Sequence, residues 1–193
     1  MIALIAGLIL FLGAHSIRIF SDATRTTMIE KIGVNKWKGI ITLFSIAGFA
    51  LLIIGYQQAR MTPIPLWEPP IWARHLAILL NLFAFILITA AYVPGNSIKA
   101  RIGHPMVVSV KIWAFAHLLA NGNLVDLVLF GTFLIWAVLD FRVSRKRDRA
   151  ENVVRPAGVM SRNILTVVVG VALWAAFVMV LHAYLVGVQP LAM

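Results

Sequence analysis

Residues 106–141 read MVVSVKIWAFAHLLA-NGN-LVDLVLFGTFLIWAVLDF, which is two apolar runs separated by three turn-forming residues. Asn and Gly adopt a positive φ at little cost, so Asn121-Gly122-Asn123 predicts a tight turn between two helices. Asn123 and Asp126 have the spacing of a capping box at the start of the second helix. The stretch therefore predicts a helical hairpin, with Pro105 in the first turn of its leading helix.

The rest of the chain continues this apolar character at lengths that fit a bilayer. A hydrocarbon core about 30 Å thick is crossed by an α-helix of roughly 20 residues. Runs of suitable length cover residues 2–20, 39–58, 71–93, 124–141 and 163–188. The shorter run 106–120 spans only about 22 Å as a helix. We predict an all-α, polytopic membrane helical bundle with six transmembrane helices, forming a single domain over residues 1–193.

The composition excludes several other classes of protein. Of 193 residues, 61% are hydrophobic and only 12% are charged, which is too little polar surface for a soluble globule. The chain has no cysteine, so it can form no disulfide, no thiolate metal site and no thioether-attached haem. The formal charge of +10 does not indicate nucleic-acid binding, because the basic run 142–149 has no interleaved aromatic residues. Contact with anionic lipid headgroups is the simpler interpretation.

The distribution of basic residues predicts an orientation. The loops after the first, third and fifth runs, with their margins, hold fourteen Lys and Arg residues, whereas the second loop and its margins hold only Arg60 and Arg74. By the positive-inside rule both termini are expected outside, an N-out/C-out topology. The second loop, residues 61–70, carries four prolines and is expected to be an extended interfacial crossing. No basic residue precedes the first run, so we expect it to be retained in the mature protein.

Histidines within the apolar runs are the candidate functional residues, because an ionisable group in hydrocarbon is costly. His15 in the first run and His117 in the fourth lie deepest. The other three lie nearer to the ends of their runs: His75, His104 and His182. Trp113, His117 and Asn121 share one helical face. Two imidazoles from different helices, in a chain without cysteine, are candidate axial ligands for a non-covalent haem.

Two basic side chains accompany these histidines. Arg18 follows His15 by one turn and can extend to the headgroups. Lys111 follows His104 by two turns on the same side of the helix. It either extends to the interface or holds an anionic group such as a carboxylate.

Several motifs resemble the NnrU family of bacterial membrane proteins. They are Ala14-His15-Ser16-Ile17-Arg18, the LWEPP segment at 66–70, His104-Pro105-Met106, and KIWAFAHLLANG at 111–122. The resemblance extends from residue 1 to about residue 148. The last apolar run, with His182, lies beyond it and is interpreted as packing.

The resemblance implies a protein of the bacterial inner (cytoplasmic) membrane that is associated with nitrite and nitric oxide metabolism. The family is also similar to zeta-carotene isomerase, a membrane enzyme that uses haem b to isomerise a cis double bond. That similarity implies His15 and His117 as ligands of the iron of haem b. It also implies His104 as a residue that supports these ligands. By their positions, the further candidates for supporting the ligands or meeting a substrate are Arg18, Lys111, Trp113 and Asn121. The hypothesis is that the iron acts on a gaseous or lipophilic small molecule that enters from the bilayer.

Three functions stay open at this point: a haem protein of nitrogen-oxide metabolism, a carotene isomerase-like enzyme, and a haem-free membrane scaffold or transporter. Many transporters consist of two related halves, each with a broken helix. The sequence pattern shows no such pair, which counts against a transporter. The His-Pro segment also resembles membrane methyltransferases, but residues 140–152 lack their acidic motif. The oligomeric state is open too, because Gly48 and Gly55 can face a second chain or another helix.

Overall fold

The computed structural model describes residues 1–191, which form nine α-helices and one π-helical turn. The helices are α1 Ile2–Phe20, α2 Asp22–Ile32, α3 Val34–Arg60, α4 Ile71–Tyr92, α5 Ser97–Ile102, α6 Pro105–Ala120, α7 Leu124–Ala150, α8 Met160–Ala176 and α9 His182–Val186. The π-helical turn Phe177–Leu181 joins α8 to α9. Residues 1–191 contain no β-strand, and the predicted all-α fold is confirmed.

Five segments are long and apolar enough to cross a membrane: α1, α3, α4, α7 and the continuous stretch Met160–Val186. α6 is a shorter apolar helix. Large apolar side chains such as Ile9, Leu43 and Val168 are exposed on the outward faces, where lipid would cover them. The polytopic bundle is therefore confirmed, whereas six crossings and the N-out/C-out orientation stay predictions.

Several helices extend beyond the apolar runs that predicted them. α3 begins at Val34, before the run at 39–58, and α7 continues to Ala150, beyond the run at 124–141. Hydropathy marks only the part of a helix that lies in hydrocarbon. Basic residues in the last turn of α7 stabilise its C-terminus through the helix dipole, so the helix continues into the headgroup region. α2 and α5 are helices within segments that were predicted as loops.

The long helices pack side by side in the order α3, α1, α7, α6, α4 and α8. We call the end of the bundle that carries residues 61–70 and 121–123 the turn end, and the opposite end, with residues 142–149, the basic end. At the turn end, Gln57 Nε2 donates to the Leu185 carbonyl at 3.0 Å. This bond connects the chain end after α8 back to α3, so the row of helices curves around a central space.

Close packing of α1 against α3 depends on glycine. A Cβ on Gly48 would lie 2.6 Å from the Phe11 nitrogen, and a Cβ on Gly55 would overlap the Leu4 backbone. Small residues allow such close approach of helices in membranes. Both glycines therefore face α1 of the same chain.

The Pro-rich loop is attached to the turn of the hairpin. The Gly122 carbonyl accepts hydrogen bonds from Leu66 N at 2.7 Å and from Trp67 N at 3.2 Å, and Leu124 N donates to the Ile64 carbonyl at 2.9 Å. A Cβ on Gly122 would overlap the Trp67 carbonyl, so only glycine fits this position. The attachment fixes the start of α4 relative to α6 and α7.

The predicted caps of the hairpin are confirmed. Pro105 occupies the first turn of α6, and Asn123 and Asp126 form a capping box at the start of α7. Pro105 needs no partner there because it has no backbone N–H group. The capping box satisfies N–H groups at the start of α7, directly after the turn that follows His117 and α6.

Candidate functional site

The curved row of helices lines two adjoining, partly open cavities toward the turn end, of about 600 Å³ and about 350 Å³. Sites for small molecules in proteins usually have volumes of roughly 300–1,000 Å³. Eight residues line both cavities: Phe49, Trp113, His117, Asn121, Phe133, Phe177, His182 and Val188. The walls are mostly aromatic and aliphatic, and the two histidines lie where the cavities meet.

His117 is held by its own helix and by an aromatic ring of α7. Its Nδ1 lies 2.8 Å from the Trp113 carbonyl, and its ring stacks on Phe130 with centroids 4.5 Å apart. A carbonyl can only accept a hydrogen bond, so Nδ1 carries the proton. Nε2 is then the nitrogen with a free lone pair, and it makes no hydrogen bond among the described residues.

His182 is held in the same way by the segment that follows it. Gly187 has a left-handed φ of 76° and ends α9, which turns the chain back toward the ring. The Val188 carbonyl then accepts a hydrogen bond from His182 Nδ1 at 2.7 Å. Here too Nε2 is left with a free lone pair.

The two imidazoles face one another across the junction of the cavities. Their ring centroids lie 6.4 Å apart with an angle of 21° between the planes. Two imidazoles that share one metal ion, each at a metal–nitrogen distance of about 2.0–2.1 Å, have centroids roughly 6 Å apart. The centroid separation is therefore similar to that of two imidazoles on one metal ion.

Trp113 and Asn121 lie beside His117, as their spacing predicts. Both line the two cavities, and the Trp113 ring centroid lies 5.2 Å from that of His117. Asn121 Nδ2 donates to the His117 carbonyl at 2.8 Å. The predicted shared face of α6 is thus confirmed.

His15 lies away from this junction. Its ring is exposed, its Nδ1 donates to the Phe11 carbonyl at 2.7 Å, and its centroid lies 6.2 Å from that of Trp136. His117 stacks on Phe130 of α7, whereas His15 lies near Trp136 of the same helix. These two α7 residues are six positions apart, so the rings of His117 and His15 are separated by about 9 Å along that helix. His15 is not among the residues that line the cavities. The structure brings His117 next to His182, and the His15–His117 pair stays a prediction from the resemblance.

The remaining predicted residues lie toward the basic end, outside both cavities. His104 Nε2 donates to Asp148 Oδ2 at 2.8 Å, and Arg155 donates to the same oxygen at 2.7 Å. Lys111 Nζ lies 3.8 Å from the centroid of the Phe141 ring, a cation–π contact. Arg18 is exposed and forms a 4.0 Å ion pair with Asp22. These contacts connect helices and loops at the basic end.

The sequence analysis did not place His182 beside His117, as the structure does. His182 lies toward the turn end of the last apolar run, and His117 lies toward the same end of its own run. This shared position along the helices was a usable signal for their proximity. His182 was interpreted as packing because the motifs quoted above end near residue 148.

A family model described as NnrU protein matches residues 3–190. The chain belongs to the NnrU family. The match to the NnrU protein extends through α8, the π-helical turn and α9, so the family pattern includes His182, contrary to the limit near residue 148. Neither the curated proteins nor the solved structures contain a match to this NnrU protein.

Proposed function

We propose that this NnrU protein binds haem b at the junction of the two cavities, where His117 and His182 would hold its iron. The observation that carries the proposal is the pair of imidazoles, each of which donates its Nδ1–H to a main-chain carbonyl. Histidines that bind metal almost always donate their other ring nitrogen in this way, because the bond fixes the tautomer and the ring orientation. Both Nε2 atoms are thereby prepared for a metal.

The shape and the chemistry of the cavity support a flat, apolar cofactor. A macrocycle centred between His117 and His182 would extend into both cavities, since both histidines line each of them. Phe49, Phe133 and Phe177 supply apolar walls. Helical bundles hold haem in this manner, with ligands from facing helices around an apolar core.

His117 and His182 differ in how firmly the fold holds them. His117 lies on α6, which packs between α4 and α7, whereas His182 begins a five-residue helix that packs mainly on the preceding π-helical turn. When bound, haem b would supply one-electron redox chemistry and a place for a small gaseous ligand. His182 would be the more easily displaced of the two histidines, because α9 packs mainly on the π-helical turn beside it.

We place this chemistry in nitrite and nitric oxide metabolism, the role that the NnrU resemblance implies. Nitric oxide is small and uncharged, so it enters a bilayer readily. The aromatic walls around His117 and His182 present an apolar surface that favours such a guest. The residues therefore support binding of a gaseous ligand from the lipid phase.

Purified protein tests the proposal directly. The full chain, expressed with haem supplementation and purified in detergent, is expected to carry haem with a Soret band. His117→Ala is expected to lower haem occupancy at least about tenfold, because even supporting residues of metal sites contribute that much. His182→Ala should alter the spectrum from a two-histidine to a one-histidine form or remove the haem.

Two control variants separate this arrangement from the alternatives. His75→Ala removes an exposed imidazole outside both cavities and is expected to leave the spectrum unchanged. His15→Ala is also expected to leave it unchanged. Loss of haem in His15→Ala, with His182→Ala intact, would favour the ligand pair implied by zeta-carotene isomerase. A colourless wild-type protein would overturn the proposal and favour a haem-free scaffold or transporter.

A carotene isomerase-like activity is the second candidate. The larger cavity is favourable for a polyene, because Phe85, Ile88 and Phe177 extend its apolar wall along α4 and the π-helical turn. Cells that produce the cis carotene and express this chain would accumulate the isomerised product under this alternative. Unchanged carotene in cells that contain haem-loaded protein would exclude it.

A further inference from the structure

The cavities carry an excess of positive charge that the proposed histidine ligands do not explain. Arg74 lines the larger cavity and Arg60 lines the smaller one. No acidic residue is among the described residues that line either cavity. Two adjoining, mostly apolar cavities that present one arginine each and no carboxylate favour a ligand with negative charge.

The two arginines lie at the same end of the bundle. Arg60 is the last residue of α3, and Arg74 is in the first turns of α4. The loop 61–70 between them forms part of the turn end. A ligand that reaches both guanidinium groups must therefore carry its negative charges on the edge that faces the turn end.

Within the described residues 1–191, neither guanidinium forms an ion pair with a carboxylate. Arg60 donates to the Val186 carbonyl at 3.4 Å, and its guanidinium carbon lies 5.6 Å from the centroid of the Tyr56 ring. Within residues 1–191, Arg74 forms no ion pair and no side-chain hydrogen bond. Arg60 keeps N–H donors that these contacts do not use, because a guanidinium has five. Both side chains are thus available to an anionic group.

We propose that Arg60 and Arg74 each bind one carboxylate of the ligand, so that the haem, on whose binding this inference rests, is fixed with its two carboxylates toward the turn end. Guanidinium and carboxylate groups form charge-assisted, often bidentate hydrogen bonds, which fix direction as well as adding affinity. The histidines hold the centre of the ligand, and the arginines determine its orientation in the cavity.

Two probes that differ only in charge test the inference. Haem-free full-length protein in detergent is titrated with haemin and with the dimethyl ester of haemin, which keeps the macrocycle and the iron but lacks the carboxylate charges. Wild-type protein is expected to bind haemin about tenfold more tightly than the ester. Arg60→Gln and Arg74→Gln are each expected to reduce this preference, and the double variant should abolish it while affinity for the ester is unchanged.

Lys38→Gln is the matched control, because it removes one positive charge from α3 at an exposed residue far from the cavities. It is expected to keep the wild-type preference. Arg60→Lys should keep part of it, since lysine retains the charge but not the planar fork. Size-exclusion elution and circular dichroism establish that each variant is folded.

The outcomes separate the inference from the proposed function. Equal affinity of the wild-type protein for haemin and the ester overturns the role of the arginines while haem binding stands. Retention of the full preference in the double variant overturns it as well. If the wild-type protein binds neither probe, haem binding and the inference fail together.

Discussion

Tyr56 of α3 donates its hydroxyl hydrogen to Oδ1 of Asp126 on α7 at 2.6 Å, inside the apolar bundle. The other oxygen of Asp126 accepts from the backbone nitrogen and the side-chain amide of Asn123, each at 3.1 Å. The Asp126 carboxylate therefore caps the start of α7 and also joins α3 to the hairpin of α6 and α7. Its 2% exposure leaves water almost no access, so each protein partner contributes to stability.

Tyr56→Phe is expected to destabilise the protein by about 1–3 kcal/mol, because it leaves a buried acceptor without its interhelical partner. Thermal unfolding in detergent, followed by circular dichroism, measures the change. Tyr92→Phe removes the same hydroxyl from a tyrosine that is 72% exposed and should leave the midpoint in place. Equal midpoints for both variants would show that the Tyr56 bond contributes nothing.

Gly48→Ala is expected to separate α1 from α3, because its Cβ would lie 2.6 Å from the backbone nitrogen of Phe11. Backbone atoms cannot yield as a flexible side chain does, so we expect a loss of about 1–3 kcal/mol. Gly39→Ala on the same helix meets no atom within 4 Å and should be neutral or slightly stabilising. Comparable unfolding curves for the two alanine variants would contradict the close packing.

Gly122→Ala is expected to release the Pro-rich loop from the hairpin. The new Cβ would occupy the position of the Trp67 carbonyl, so the bonds from Leu66 N and Trp67 N to the Gly122 carbonyl would break. Limited proteolysis of residues 61–70 should become faster by roughly tenfold or more, as expected for about 1.4 kcal/mol of lost local stability. Gly131→Ala, whose Cβ makes only a 3.7 Å contact with Leu127, is the control. No increase in cleavage would refute the attachment.

Asp148→Asn is expected to loosen the segment between α7 and α8. One carboxylate oxygen accepts hydrogen bonds from both His104 and Arg155, and an amide cannot provide the same charge to either. Hydrogen exchange of residues 152–159 should accelerate. Glu151→Gln changes an exposed carboxylate nearby and should leave exchange unchanged. Unaltered protection in Asp148→Asn would mean that other contacts hold the segment.

The sequence predicted what depends on local pattern. The apolar runs located the long helices, and the caps at Pro105, Asn123 and Asp126 are present because capping is decided within a few residues. The start of α3 was placed too late and the end of α7 too early. Hydropathy marks only the apolar part of a helix and not the part that continues beyond it. α2 escaped prediction because its sequence is mostly polar and forms no apolar run.

The partner of His117 could not be predicted from periodicity. Hydropathy gives the depth of a residue in the membrane but not which helices are neighbours. In the order α3, α1, α7, α6, α4, α8, the helix α7 lies between the helix of His15 and the helix of His117. The last segment of the chain returns toward α6, so that His182 lies beside His117. Only the position of each histidine along its apolar run was informative, since His182 and His117 lie toward the turn end of their runs and His15 does not.

The π-helical turn Phe177–Leu181 directly precedes His182, and such turns hold one residue more per hydrogen-bonded ring than an α-helix. The turn takes up that extra residue, so loss of one codon from it would restore ordinary winding and leave the direction of His182 nearly unchanged. Loss of one codon within α8, which already winds as an α-helix, would instead rotate everything after it by about 100° and move the ring of His182 away from that of His117. In this part of the gene, reading-frame-preserving deletions should consequently be tolerated in the π-helical turn and not in α8.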